Sequence, residues 1–270
     1  MTTSYSDKIK SISVSSVAQQ FPEVAPIADV SKASRPSTES SDSSAKLFDG
    51  HDEEQIKLMD EICVVLDWDD KPIGGASKKC CHLMDNINDG LVHRAFSVFM
   101  FNDRGELLLQ QRAAEKITFA NMWTNTCCSH PLAVPSEMGG LDLESRIQGA
   151  KNAAVRKLEH ELGIDPKAVP ADKFHFLTRI HYAAPSSGPW GEHEIDYILF
   201  VRGDPELKVV ANEVRDTVWV SQQGLKDMMA DPKLVFTPWF RLICEQALFP
   251  WWDQLDNLPA GDDEIRRWIK

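Results

Sequence analysis

Apolar residues follow two rhythms along this chain, and one long stretch follows neither. Residues 61–67 (Glu-Ile-Cys-Val-Val-Leu-Asp) form a short apolar run that predicts a strand, ended by the turn Asp69-Asp70-Lys71-Pro72. Residues 95–101 predict a second strand, which Asn102-Asp103-Arg104-Gly105 folds back into 106–111 as a hairpin. The rhythm then lengthens. Ile147, Ala150, Ala154 and Leu158 recur at helical spacing, predicting a helix over 142–162 with Gly163 as its stop. Residues 174–183, 193–201 and 214–220 read as further strands. Residues 221–230 and 238–248 read as helices, and a Trp-rich tail follows (Trp251, Trp252, Trp268). Strands, a central helix, more strands and terminal helices predict an α+β fold, a mixed sheet between helical layers.

Residues 1–45 carry no such rhythm. They are rich in Ser, Ala and Val, hold Pro22, Pro26 and Pro36, and run into a Ser-rich stretch at 37–44. That composition predicts a disordered, phosphorylatable tail, with a short docked helix around 12–19 as the alternative. Residues 46–270 then make one domain, long enough for a sizeable core and within single-domain size.

Charge narrows the partners. The chain has 270 residues, 29 Lys and Arg against 41 Asp and Glu, and a formal charge of -12. So acidic a protein is a poor general binder of nucleic acid or anionic membrane. An anionic substrate would need a local basic pocket. No apolar run approaches the roughly 18–20 residues of a membrane span. The start lacks a signal-peptide core, and the end, Arg267-Trp268-Ile269-Lys270, lacks Ser-Lys-Leu. A cytoplasmic location is expected, with a peroxisomal pool left open. The six cysteines (Cys63, Cys80, Cys81, Cys127, Cys128, Cys244) then read as reduced thiols.

Three constellations carry candidate chemistry. Cys80-Cys81-His82 is followed by His93. The second is 124–131, Thr-Asn-Thr-Cys-Cys-Ser-His-Pro. The third is 190–196, Trp-Gly-Glu-His-Glu-Ile-Asp. Imidazoles and carboxylates together make mixed N/O metal sites. Side chains two apart on a strand share a face, so Glu192 and Glu194 point one way and His193 the other. By the same rule Cys128 and His130 share a face that excludes Cys127. Each piece also has a plainer reading, a structural histidine, a solvated strand face or a buried thiol, and spacing alone leaves the metal site open. Lys78, Lys79, Arg112, Lys116 and Lys157 are phosphate-binding types scattered through the same segments. Trp123, Tyr182, Trp190 and Trp239 lie near them, and each alone reads as core packing.

Residues 124–131 and 190–197 closely resemble type I isopentenyl diphosphate isomerases of the eukaryotic kind. Arg112, residues 116–119 (Lys-Ile-Thr-Phe), His82 and residues 93–97 (His-Arg-Ala-Phe-Ser) match as well. The likeness covers about 61–239, and its long ordered motifs are specific. It implies a Nudix fold, an activity interconverting isopentenyl and dimethylallyl diphosphate, and a place in isoprenoid biosynthesis; separately from the resemblance, a monomer is expected. It implies a metal site of His82, His93, His130, Glu192 and Glu194, taking zinc, manganese or magnesium. It implies Cys128 and Glu194 as the catalytic pair, with Tyr182 beside the acid. It places diphosphate on Lys78, Arg112, Lys116, Ser129 and Lys157, a magnesium on Glu161, and Trp239 against the hydrocarbon, with Trp190 in reserve. Generic Nudix hydrolases carry Arg-Glu-x-x-Glu-Glu-x-Gly in their helix. Here the stretch 156–163 is Arg-Lys-Leu-Glu-His-Glu-Leu-Gly. Lys157 and His160 replace two acids that would hold water-activating metals. That weakens the two alternatives' stronger member, a diphosphate hydrolase; an inactive metal-binding module is the other.

Overall fold

The computed structural model describes residues 4–27 and 47–269. Eleven strands form one mixed sheet. They are β1 (Ala25–Pro26), β2 (Ile62–Leu66), β3 (Pro72–Ser77), β4 (Val92–Phe101), β5 (Leu107–Arg112) and β6 (Trp123–Thr124). Then come β7 (Cys127–Ser129), β8 (His175–Pro185), β9 (Gly191–Arg202), β10 (Val214–Val220) and β11 (Ile265–Arg267). The main order is β1-β3-β2-β4-β9-β8-β11, with β5, β6, β7 and β10 attached beside β4. β4 and β9 run parallel at the centre, and β8 lies antiparallel to β9.

All ten residues of β4 are buried, because both faces of the sheet are covered. Val98 and Met100 of β4, with Leu199 and Val201 of β9, pack under the helix Leu143–Leu162 through Ala150, Ala154 and Leu158. Phe99 and Phe101, with Ile198 and Phe200, face the C-terminal helices through Phe240, Ile243, Leu248 and Trp251. The period of two thus sorts one strand's residues into two cores. The long helix begins where the sequence predicts. Asp142 caps it by accepting from Ser145 N at 2.8 Å, and Gly163 ends it at a φ of +62°.

Two expectations change. The 1–45 tail is folded over its described part. Tyr5–Lys10 and Val17–Gln20 are helical, and β1 adds to the edge of β3. Ile9, Ile12, Val17, Phe21 and Val24 are buried. A side chain at Gly74 would meet Ala25 O at 2.6 Å, so a glycine lets β1 approach. The Ser-rich run at 37–44 lies outside the described residues. The Trp-rich tail is not a tail either: Trp251 and Trp252 sit in a helical turn, Phe249–Trp252, and are buried in the second core. No helix among the described residues is long and apolar enough to cross a membrane.

Candidate active site

Register brings the third constellation onto the first two. His93 of β4 lies beside Glu194 of β9, and Tyr182 of β8 lies on Glu194's other side. Cys128 of β7 pairs with Ser97 of β4, four residues beyond His93. His82 arrives from the helix Lys78–His82, capped by Ser77, which accepts from Cys80 N at 3.1 Å. One turn separates Lys78 from His82, so both face the same cleft. His82 Nδ1 donates to Lys78 O at 2.6 Å, which leaves Nε2 as a lone-pair donor aimed inward.

The rings of His82, His93 and His130 form a near-equilateral triangle with centroids 4.8, 4.9 and 4.8 Å apart. One donor atom from each, with one oxygen each of Glu192 and Glu194, all lie within 4.8 Å of one another. His82 Nε2 is 2.7 Å from Glu192 Oε2, yet neither atom has a hydrogen-bond partner, and both nitrogens of His93 also lack one. Buried polar atoms are almost always paired. Here their lone pairs converge on a common point, and three imidazoles with two carboxylates are the donor set of a divalent metal. Burial pushes His82 down to about 3 and His130 well below its usual value, so both rings are neutral, as ligation requires. Burial pushes Glu192 up. Burial acts on Glu194 too, but the adjacent His130 and His93 imidazoles outweigh it and hold its carboxyl low.

The opposite-face rule for 192–194 holds. His193 turns away, stacks on His181 at 5.0 Å, and bonds Leu91 O at 2.8 Å, with Tyr5 Oη 3.1 Å from the same nitrogen. So the N-terminal segment reaches the back of β9. Tyr182 Oη donates to Glu194 Oε2 at 2.5 Å. Cys128 lines the cleft and Cys127 lies in the other core. Burial pushes the Cys128 thiol up to about 12, partly opposed by Arg112, so it stays protonated near neutral pH.

The cleft encloses about 410 Å³, and twelve of the expected residues border it: Lys78, Arg112, Lys116, Cys128, Ser129, His130, Lys157, Glu161, Tyr182, Glu192, Glu194 and Trp239. His82 and His93 are fully buried within the cluster beneath. The cations are fixed by the protein itself. Arg112 donates to Phe119 O and Thr118 O at 3.1 and 3.0 Å, and its guanidinium lies 5.9 Å from the Trp239 ring. Lys157 Nζ is 3.2 Å from Glu161. Trp239 packs edge-on against Phe119 and donates Nε1 to Asn125 Oδ1 at 3.2 Å. Trp190 is elsewhere. It stacks on Phe48 and packs with Met59 and Ile117 outside the cleft lining, so it cannot replace Trp239.

Sequence reasoning missed three residues. Thr118 borders the cleft, inside a matched motif but unassigned. Asn125 sits under Trp239 and donates to Cys127 O at 2.9 Å. Glu213 lies behind Lys116, and no pattern marked it.

The sheet between helices, with the long helix carrying Glu161 into the cleft, is the frame of the site. Residues 91–240 match the NUDIX domain, and the chain belongs to that family. Within it, the chain belongs to the isopentenyl-diphosphate delta-isomerases. It is 64% identical over 229 residues to the isopentenyl-diphosphate delta-isomerase of Gibberella zeae, covering 84% of this chain and 90% of that protein. It is 56% identical to that of Candida albicans, covering 99% of each, and 47% identical to isopentenyl-diphosphate Delta-isomerase 1 of Bos taurus, covering 81% and 97%.

Proposed function

We propose that this chain interconverts isopentenyl diphosphate and dimethylallyl diphosphate by moving one carbon–carbon double bond. The observation that carries the reading is one cleft lined by two unlike sets of side chains. Cys128, Glu194, Tyr182 and Trp239 make up one, and Lys78, Arg112, Lys116 and Lys157 the other.

The chemistry asks for this division. A proton adds to the terminal alkene carbon, the π electrons form that C–H bond, and a tertiary carbocation-like centre results. Loss of a proton from the carbon on its other side re-forms the double bond, so nothing is gained or lost overall. The neutral Cys128 thiol and the Glu194–Tyr182 pair are the two proton-handling groups, their roles exchanging with direction. Tyr182 Oη, bonded to Glu194 Oε2, holds a proton at that carboxylate. The Trp239 indole stabilises the cation through its π face, roughly 2 kcal/mol or more when desolvated, and cannot trap it as a nucleophile would. The chemistry also requires that water, which would quench the cation, be kept from the side lined by Trp239, Tyr182 and Cys128. The remote diphosphate supplies binding energy through Lys78, Arg112, Lys116, Ser129 and Lys157.

A divalent ion on His82, His93, His130, Glu192 and Glu194, zinc or manganese by its imidazole content, would set the acidity of Glu194, and magnesium at Glu161 would neutralise diphosphate charge. The unit acts as a cytoplasmic monomer, the 46–270 domain with residues 4–27 docked on it.

Proton NMR of isopentenyl diphosphate with the protein and magnesium in deuterated water tests the reading. Loss of vinylidene signals, new dimethylallyl signals and deuterium incorporation are expected. An unchanged olefin with released phosphate would replace the isomerase with a hydrolase.

A further inference from the structure

Glu213 is not among the residues that line the cleft, yet it is buried and fully engaged. Its Oε2 accepts from Lys116 Nζ at 2.7 Å and lies 3.7 Å from Lys157 Nζ. Its Oε1 accepts from Gln55 Nε2 at 2.7 Å. Gln55 in turn belongs to the helix Glu53–Leu58, whose cap Asp52 accepts from Asn212 Nδ2 at 3.0 Å. The backbone is pinned as well, since Glu213 O accepts from Ala113 N at 3.1 Å. A buried acid with both oxygens committed is not available to a metal or a substrate. Its work is done on the lysines.

We infer that Glu213 is a positioning residue for diphosphate recognition, holding Lys116 and Lys157 aimed into the cleft, and itself held by Gln55. This rests on reading the cations of the cleft as the diphosphate site. Four cations converge there, and like charges in a buried wall repel one another. Glu161 pairs with Lys157 at 3.2 Å, and its other oxygen accepts from Gln110 at 2.9 Å. Glu213 is the acid that bonds Lys116, at 2.7 Å, while lying 3.7 Å from Lys157.

Lys116 shows the need most clearly. The groups facing it are Glu213 from the loop before β10, Arg112 of β5, Lys78 of the short helix, and Lys157, His160 and Glu161 of the long helix. Burial pushes its ammonium down to about 8 even with Glu213 opposing that shift. Without Glu213, Lys116 loses the acid bonded to it, three cations still face it, and it loses its proton at lower pH. A neutral amine binds diphosphate poorly.

The test is calorimetric titration of the full chain with inorganic pyrophosphate and magnesium, at about pH 6 and about pH 8, beside steady-state kinetics. Glu213→Gln is expected to weaken pyrophosphate binding about tenfold at the higher pH, as one unit of pKa would. The loss shrinks to under about threefold at the lower pH, where Lys116 recovers its proton. KM rises while kcat moves less. Equal or tighter binding by the variant at both pH values, or one constant loss at both, overturns the inference. Wild type failing to bind pyrophosphate overturns the diphosphate reading instead. Should Glu213→Gln not fold, Gln55→Leu keeps the charge but removes its anchor, and about threefold weaker binding is expected. Unchanged binding in that folded variant also overturns the inference.

Discussion

The central strands β4 and β9 carry two buried charge clusters, one on each face, and they are finished differently. On one face His93, Glu192 and Glu194 join His82 and His130, and four of their polar atoms have no partner. On the other face Arg94, Arg179 and Tyr197 join Arg146 of the long helix around Asp70. There Asp70 Oδ1 accepts from Arg94 at 3.0 Å and 3.1 Å. Its Oδ2 accepts from Arg179 at 2.8 Å, from Arg146 at 3.2 Å and from Tyr197, and its carbonyl takes two more bonds. Only Arg179 Nε is left over. A satisfied cluster locks a turn to a helix and a sheet. An unsatisfied one, equally buried, is a place for something else to bind. Burial and charge alone would not separate the two; hydrogen-bond completion does.

The largest expected effects fall on the unsatisfied face. Glu194→Gln should lower turnover about a thousandfold or more and weaken metal binding, with circular dichroism unchanged. Cys128→Ala should do the same to turnover while leaving metal content intact. Full activity in either variant would remove that residue from the chemistry. Asp70→Ala is the opposite case. Removing one partner from a buried charge network should cost about 3–5 kcal/mol of stability. The fraction that remains folded should keep kcat within a few-fold. Denaturant unfolding with turnover corrected for folded protein checks both. A dead but fully stable Asp70→Ala would dissolve the distinction between the faces.

Metal removal comes next. An ion present at about a hundred times its dissociation constant stabilises by about 2.7 kcal/mol. Chelation should therefore lower the melting temperature by several degrees, and added zinc or manganese should restore it. A protein isolated without metal, whose melting ignores both treatments, would make the open cluster structural like its neighbour.

Much of this contrast was legible from sequence, and the reasons are local. The helix Leu143–Leu162 announces itself through a helical repeat with Asp142 and Gly163 at its ends. The alternation in β9 sends Glu192 and Glu194 one way and His193 the other, a rule that needs no tertiary information. The Asp70 cluster was not visible. Its members are 24, 76, 109 and 127 residues from Asp70, and only register and packing unite them. Glu213 was hidden for the same reason, as one acid in a loop that reads as solvated. The N-terminal segment failed differently. Ile9, Ile12, Val17, Phe21 and Val24 are too sparse among serines to show a period, yet each finds a pocket on the domain.

The smallest predicted effect tests the comparison most finely, because it concerns neighbours on one short strand. Cys127 and Cys128 are adjacent, so β7 sends them to opposite faces. Cys128 meets the cleft, 3.9 Å from Thr124 Oγ1. Cys127 is buried in the long-helix core, and its Sγ donates to Glu161 Oε2 at 3.5 Å. Burial pushes its thiol well above the usual range, so it stays protonated and acts as a small apolar side chain with a weak donor. Cys127→Ala should therefore cost about 1 kcal/mol of stability for the lost contact. Any kinetic change should be a rise of up to about threefold in the magnesium concentration needed for half activity, since Glu161 loses one bond. Turnover at saturating magnesium should match wild type. If Cys127→Ala were as inactive as Cys128→Ala, the face a side chain occupies would no longer decide its role, and assigning the proton to Cys128 would lose its basis.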